Sequence, residues 1–209
     1  MSSPGGIVIT QSPNIYYTRW GLPSDIPIDW ALEPCLDLIN SRWSDHLGSG
    51  QFFERLSKSA FRHAFLKRWD YRVSDPEDDA AWSRLSELRG VLRTALELYM
   101  SNRPLAPDTR RVLESHMNRA PVTLVLSGGP DGYHLSLKRS GNAWDIVTAE
   151  IATSAVRVMT EQRSIKECAN PDCSWMFIDE SKPRSRRWCN VSICGSLVNV
   201  RRHRAGRHS

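Results

Sequence analysis

Four of the five cysteines fall in the last 42 residues, and their spacing limits what that stretch can fold into. Cys168 and Cys173 make one Cys-x4-Cys pair, Cys189 and Cys194 a second, with 15 residues between the pairs. Two cysteines with four residues between them can bend both sulfurs towards one point, especially across a turn such as Asn170-Pro171-Asp172. The intervening stretch is long enough to bring the second pair back. Structural zinc sites use intra-pair gaps of about two to four residues. Two disulfides or four free thiols are the competing readings, and in a cytosolic chain the paired spacing favours zinc. Ferredoxin-type iron–sulfur spacings are different. Four thiolates close the coordination sphere, so the Zn2+ is expected to be structural, and its binding to supply much of the module's folding free energy. Cys35 stands alone in an apolar helical pattern and reads as a small buried side chain.

Charge is concentrated in the same place. From Arg163 onwards there are ten Lys+Arg against four Asp+Glu, and no acidic residue follows Glu180; the preceding residues hold 18 against 19. A near-neutral body with a cationic module predicts an anionic partner for the module. Lys182, Arg184, Ser185, Arg186 and Arg187 lie between the cysteine pairs, and Arg201, Arg202, His203, Arg204 and Arg207 follow them. A helix is expected from about Ser192, as its cap, to Arg204. Ile193, Leu197 and Val200 then share its apolar face, Arg202 and His203 point away, and Arg201 lies on the flank. Guanidinium groups on phosphates give affinity and salt dependence, and one or two at base edges give specificity. Double-stranded DNA is the expected partner; RNA or an acidic protein surface is the alternative. Trp175, Met176, Phe177 and Trp188 are expected to form a miniature core beside the metal.

Before the cysteines the text is mainly helical. Leu32, Leu36, Ile39 and Trp43 recur at helical spacing, and Phe52, Phe53, Leu56, Phe61, Phe65 and Trp69 suggest one helix or two short ones over 51–70. Asp75-Pro76-Glu77 reads as the start of the longest helix, ending near Asn102, and Asp108 starts a shorter one to about Asn118. The period then becomes two. Residues 122–126 and 133–137 alternate around a long Gly-rich turn, which predicts a β-hairpin. Residues 143–161 return to helical spacing. Residues 1 to about 27 form a Gly/Pro/Ser-rich arm that includes Trp20. The chain is thus expected to be mainly α: a helical N-terminal domain, 1–161, with one β-hairpin, then a small four-cysteine zinc module, 162–209, ending in a helix. A hydrophobic content of 40% is ordinary for a globular protein. No apolar run approaches the ~20 residues of a membrane helix, and the start lacks a signal-peptide pattern, so the expected address is the cytoplasm.

The run C-x4-C-x-W-x-F-x-D-x-S-K/R-x-R-S-R-R-W-C-x4-C-G, here Cys168 through Gly195, resembles the CGNR zinc-finger family of bacterial proteins. The Arg-Arg-His-Arg run at 201–204 also matches. Members carry a mostly helical ABATE-type domain in front. Leu36-Asp37-Leu38-Ile39-Asn40-Ser41 resembles its opening, and Leu88-Arg89 through Ala95-Leu96 its long helix. The resemblance implies a transcription regulator with a DNA-binding finger and a sensing front domain. The family's Cys-Gly-Asn-Arg is Cys194-Gly195-Ser196-Leu197 here, so an amide and a positive charge are missing at the helix start, which alters affinity or sequence preference if those groups touch nucleic acid.

Residues 1–161 contain no catalytic set, and His46, His63, His116 and His134 lack metal-site spacing, so an enzyme is not expected. Asn40, Arg89 and Arg93 are polar groups on otherwise apolar helices; they read first as solvated helix surface, with the lining of a pocket for a small anionic ligand as the alternative. Regulators of this kind often pair half-sites as homodimers. No coiled-coil heptad is present, so the oligomeric state stays open.

Overall fold

A computed structural model of the chain describes residues 33–46, 48–130 and 132–205. The N-terminal arm with Trp20, the start of the first apolar stripe at Leu32, and Arg207 lie outside them. Among the described residues the mainly helical class holds: six α-helices and three two-stranded antiparallel sheets.

Helix α1 (Pro34–Ile39) is short and entirely buried. Pro34 occupies its first turn, where a missing N–H costs nothing. It packs against α3 (Asp79–Met100) and α5 (Ala143–Thr160), and α4 (Pro107–Met117) packs on both of those. In α3, Leu85, Leu88, Leu92, Ala95 and Leu96 are all buried, as spacings of three and four require. The cap is Asp78, which accepts from the Ala81 N–H at 3.0 Å, three residues later than the sequence suggested. Asp75 instead closes a turn by accepting from the Glu77 N–H, and the Pro76 carbonyl accepts from the Trp82 indole. Helix α2 (Ser59–Arg68) presses Phe65 edge-on against Trp82. Three helices stop in the same way: Asp70, Asn102 and Gln162 take positive φ, and the next N–H returns to a carbonyl five residues back.

Two expected helical stretches are partly strand. Helix α1 ends at Ile39, and Trp43 belongs to β1 (Arg42–Ser44), which pairs with β2 (Phe52–Glu54). The apolar stripe stays at helical spacing across that break. But Trp43 reaches the core by the alternation of a strand, with Arg42 in solvent. Gly48 and Gly50, both at positive φ, let the connection turn. Helix formation in 51–70 begins only at Ser59. The long hairpin is β3 (Val122–Gly129) with β4 (Gly132–Arg139). The expected long turn shrinks to two positions, because Gly128 and Gly129 pair with Tyr133 and Gly132.

After α5 the chain forms β5 (Ile165–Glu167) and β6 (Met176–Ile178), a π-helical turn at Val191–Gly195, and α6 (Ser196–Ala205). Met176, Phe177 and Ile178 are buried in the same apolar cluster as α1, α3 and α5. Both ends of the Asn40 amide are used there: Nδ2 donates to the Met176 carbonyl and Oδ1 accepts from the Met176 N–H, each at 2.9 Å. Arg93 donates to the Ser174 carbonyl and pairs with Glu167, and Trp43 meets Trp175 edge-on at 5.8 Å. The cysteine module and the helical body therefore share one core. No helix among the described residues is long and apolar enough to cross a membrane.

Candidate metal centre and its basic surround

The first cysteine pair sits in the connection between β5 and β6. Register Glu167↔Met176 carries the ladder to the edge of the loop, and Cys168 N–H adds a bond to the Trp175 carbonyl at 2.9 Å. Inside it, the Asn170 side chain accepts from the Asp172 N–H and the Asn170 carbonyl accepts from the Cys173 N–H. This Asx-type turn folds Cys173 back towards Cys168. The second pair arrives differently. Cys189 is pinned by its own N–H to the Cys168 sulfur at 3.4 Å, and Cys194 lies in the π-turn, capped by Asn190 through the Ile193 N–H. Gly195 beside it packs closely on Trp188: a Cβ there would lie 3.1 Å from the ring, which would have to give way by a few tenths of an ångström.

All four sulfurs lie within 4.8 Å of one another, and all four residues are buried. The Cys173–Cys189 and Cys189–Cys194 sulfurs are 3.7 Å apart, far beyond a disulfide bond. Metal–sulfur bonds of about 2.3 Å in a tetrahedron give edges of about 3.8 Å, so the observed spacing fits a metal ion held by four thiolates. Without a cation four such sulfurs cannot all carry charge. Hydrogen bonding from its neighbours pulls the Cys168 thiol down, while the same contacts and burial push Cys173 and Cys189 up. A divalent ion removes that conflict. Asn170 supports the outer side, donating to the Cys194 sulfur at 3.6 Å and to the His46 carbonyl. Among the described residues this is the only cluster of three or more potential ligands. Burial lowers the pKa of His46, which stacks on Trp43 instead.

The basic loop between the pairs is clamped from beneath by two residues. Asp179 is buried and accepts from Lys166 Nζ (2.6 Å), the Ser181 N–H and hydroxyl, and the Arg186 N–H (2.9 Å). Burial alone would raise its pKa, but the Lys166 ammonium and these donors outweigh that and hold the carboxyl well below the usual carboxylate range. Lys166 also donates to the Arg184 and Arg186 carbonyls, and Arg184 takes positive φ. Lys166→Met would leave Asp179 buried without its counter-charge. The expected loss is about 2 kcal/mol in urea unfolding, below that of a fully buried pair because Lys166 is partly in solvent.

The ten residues expected to face nucleic acid divide into groups. Lys182, Arg184, Ser185, Arg187, Arg202, His203 and Arg204 are exposed. Arg186 turns inward: its guanidinium lies 4.6 Å over Phe177 and donates to the Trp188 and Cys189 carbonyls. Arg201 pairs with Asp172, whose own carbonyl accepts from the Ser44 hydroxyl. The expected single helix from Ser192 is instead a π-turn followed by α6. The wider turn rotates the following residues, so Val198 is buried and Val200 is 48% exposed. Ser196 and Leu197, the departures from the family pattern, are the first two residues of α6.

Residues 164–207 match the family model of the CGNR zinc finger, and residues 32–162 match the ABATE model, described as "Putative stress-induced transcription regulator". The chain belongs to the ABATE family and carries a CGNR zinc finger. No curated protein matches it. These two families are a regulator and a metal-binding finger, not enzyme families.

In the ABATE region, Asn40, Arg89 and Arg93 are spent on protein partners. Arg89 forms a two-pronged pair with Glu54, at 2.8 and 2.5 Å, and donates to Ser41. Asn40 and Arg93 dock the CGNR finger, a role that the sequence reading missed. Asp172, Asp179 and Lys166 were missed likewise, although Asp179 stands in the family motif. An open cleft of about 420 Å³ lies elsewhere, lined by Glu33, Trp69, Tyr71, Arg139, Glu150 and Arg157 among others.

Proposed function

We propose that this protein is a DNA-binding transcription regulator whose finger is folded by one structural Zn2+. The observation that carries the reading is the buried four-sulfur cluster beside a clamped loop and a short helix that present exposed cations. Cys168, Cys173, Cys189 and Cys194 would hold the ion, which when bound fixes the finger's fold. The chain's own residues do the rest. Asp179 and Lys166 fix the loop, so Lys182, Arg184 and Arg187 meet phosphates with little backbone entropy left to lose. Arg202, His203 and Arg204 extend the cationic surface along α6, and Arg207 continues it in sequence. Arg186 and Arg201 act through the frame rather than on DNA.

DNA binding measured across salt tests this. Arg184→Ala and Arg187→Ala are each expected to reduce the slope of log K against log[salt] by about one while leaving unfolding within about 0.5 kcal/mol of wild type. Arg186→Ala is expected to lower stability first. Absence of DNA binding at low salt overturns the assignment.

The sensing part of this proposal rests on the cleft beside Tyr71 rather than on Asn40, Arg89 and Arg93. It offers the Trp69 and Tyr71 rings with charges of both signs, which suits a small polar ligand. Burial pushes the Tyr71 hydroxyl pKa far up, so it stays a proton donor. A metabolite that raises the Tm of the wild type and not of Tyr71→Phe supports this site; an equal rise in both places the ligand elsewhere.

A further inference from the structure

Among the described residues, one face of the β3–β4 ribbon has no covering layer. Its register sets Leu124 opposite Leu137, Leu126 opposite Leu135 and Gly128 opposite Tyr133, and opposed residues share a face. Val122, Leu124, Leu126, Tyr133, Leu135 and Leu137 therefore make a single apolar surface, each 48–82% exposed. The reverse face carries Thr123, Ser127, His134, Ser136 and Lys138 around Val125. A lone two-stranded ribbon is marginal in water, and monomeric proteins rarely leave so large an apolar patch open. Arg139 shares the leucine face opposite Val122. Its guanidinium, however, is turned to the Met117 and Ala120 carbonyls and the Thr153 hydroxyl, so it places no free charge there.

We propose that this ribbon is a homodimerisation arm, its leucine face packing on the same face of a second copy. Three observations select a second copy as the occupant. The face repeats itself: each strand reads Leu-x-Leu in opposite directions, and the four leucines are 67–68% exposed. A two-fold axis therefore brings leucine onto leucine, as an isologous contact requires. Among the described residues the face presents no charged group by which an unlike partner could be selected, since the Arg139 guanidinium is turned to the protein. Its size also fits. The six side chains offer roughly 700 Å², so two copies facing one another remove roughly 1,400 Å², within the range of standard stable interfaces. Strands of eight residues are about 27 Å long, and two such ribbons stacked about 10 Å apart would bury the leucines between them and keep both polar faces in water.

Light scattering on the metal-loaded 209-residue chain tests the proposal. The wild type is expected at twice the 23.8 kDa chain mass, with Leu126→Glu and Leu126→Lys each at the monomer mass. Leu126 is exposed in the single chain, so both variants should retain the metal and the helical circular dichroism of the wild type. Mixing the two variants is expected to restore the doubled mass through opposite charges across the axis, a rescue that misfolded protein would not show. A wild type that stays monomeric as its concentration is raised overturns the proposal. So does a dimer that survives both substitutions, or a mixture that stays monomeric.

Discussion

Cys189→Ser is expected to abolish metal retention, unfold the finger and loosen the helical body with it. Cys189 sulfur lies 3.7 Å from those of Cys173 and Cys194, so its loss removes one of the four ligands from the centre of the contacts. A serine hydroxyl is a poor replacement for a soft thiolate. Structural zinc in small fingers supplies an apparent ~10–16 kcal/mol, comparable to the ~5–15 kcal/mol by which a whole domain is usually stable. The effect should not stop at the loop. Cys168, Cys173, Trp175, Met176 and Phe177 are in the same buried cluster as Leu36, Leu88 and Leu92. Metal counting should return none where the wild type returns one equivalent, and tryptophan fluorescence should shift because Trp43 and Trp175 touch across the junction. A strong chelator should reproduce both changes. A Cys189→Ser protein with a full metal equivalent and an unchanged Tm would defeat this account.

The second large effect is expected at Asn40, a residue that carries no charge and touches no metal. Asn40→Ala removes two hydrogen bonds and strands a buried N–H and a buried carbonyl on Met176. At about 1–3 kcal/mol for each unsatisfied group, the expected loss is about 2–6 kcal/mol. Asn40→Asp keeps an acceptor for the N–H but offers the Met176 carbonyl no donor, and it buries a negative charge, so it should be at least as damaging. Both can be read from the denaturant midpoint. A change below about 0.5 kcal/mol would mean that the junction is not a structural element of the fold. Arg93→Ala, which removes a partly exposed contact to Ser174 and Glu167, should cost less than either.

The parts of this fold that the sequence made legible are those governed by local rules. The long run from Trp82 to Tyr99 keeps one helical period throughout, and 122–137 keeps the period of a strand. The cysteine pairs announce themselves by spacing. The break at Asn40 was hidden because apolar residues on both sides continue at helical intervals, although Gly48-Ser49-Gly50 was an available sign of a tight return between strands. Asn40 looked like a binding group because its partner is 136 positions away, and Arg93 because its partner is 81 away. No periodic signal encodes such pairings. Arg186 and Arg187 are adjacent and identical in type, yet one lies on Phe177 and the other over Trp188 at the surface. Only the clamped path of the loop separates them. The π-turn was also invisible, since one extra residue per turn leaves no mark in composition.

The amide bridge between Asn40 and Met176 means that the finger borrows one of its walls from a helix at the other end of the text. Residues 164–207 transplanted onto a foreign carrier would arrive with that wall missing. The same bridge joins the end of α1 to β6, which leads into the basic loop, so a tilt of α1 is expected to reach that loop as a crankshaft passes on a turn.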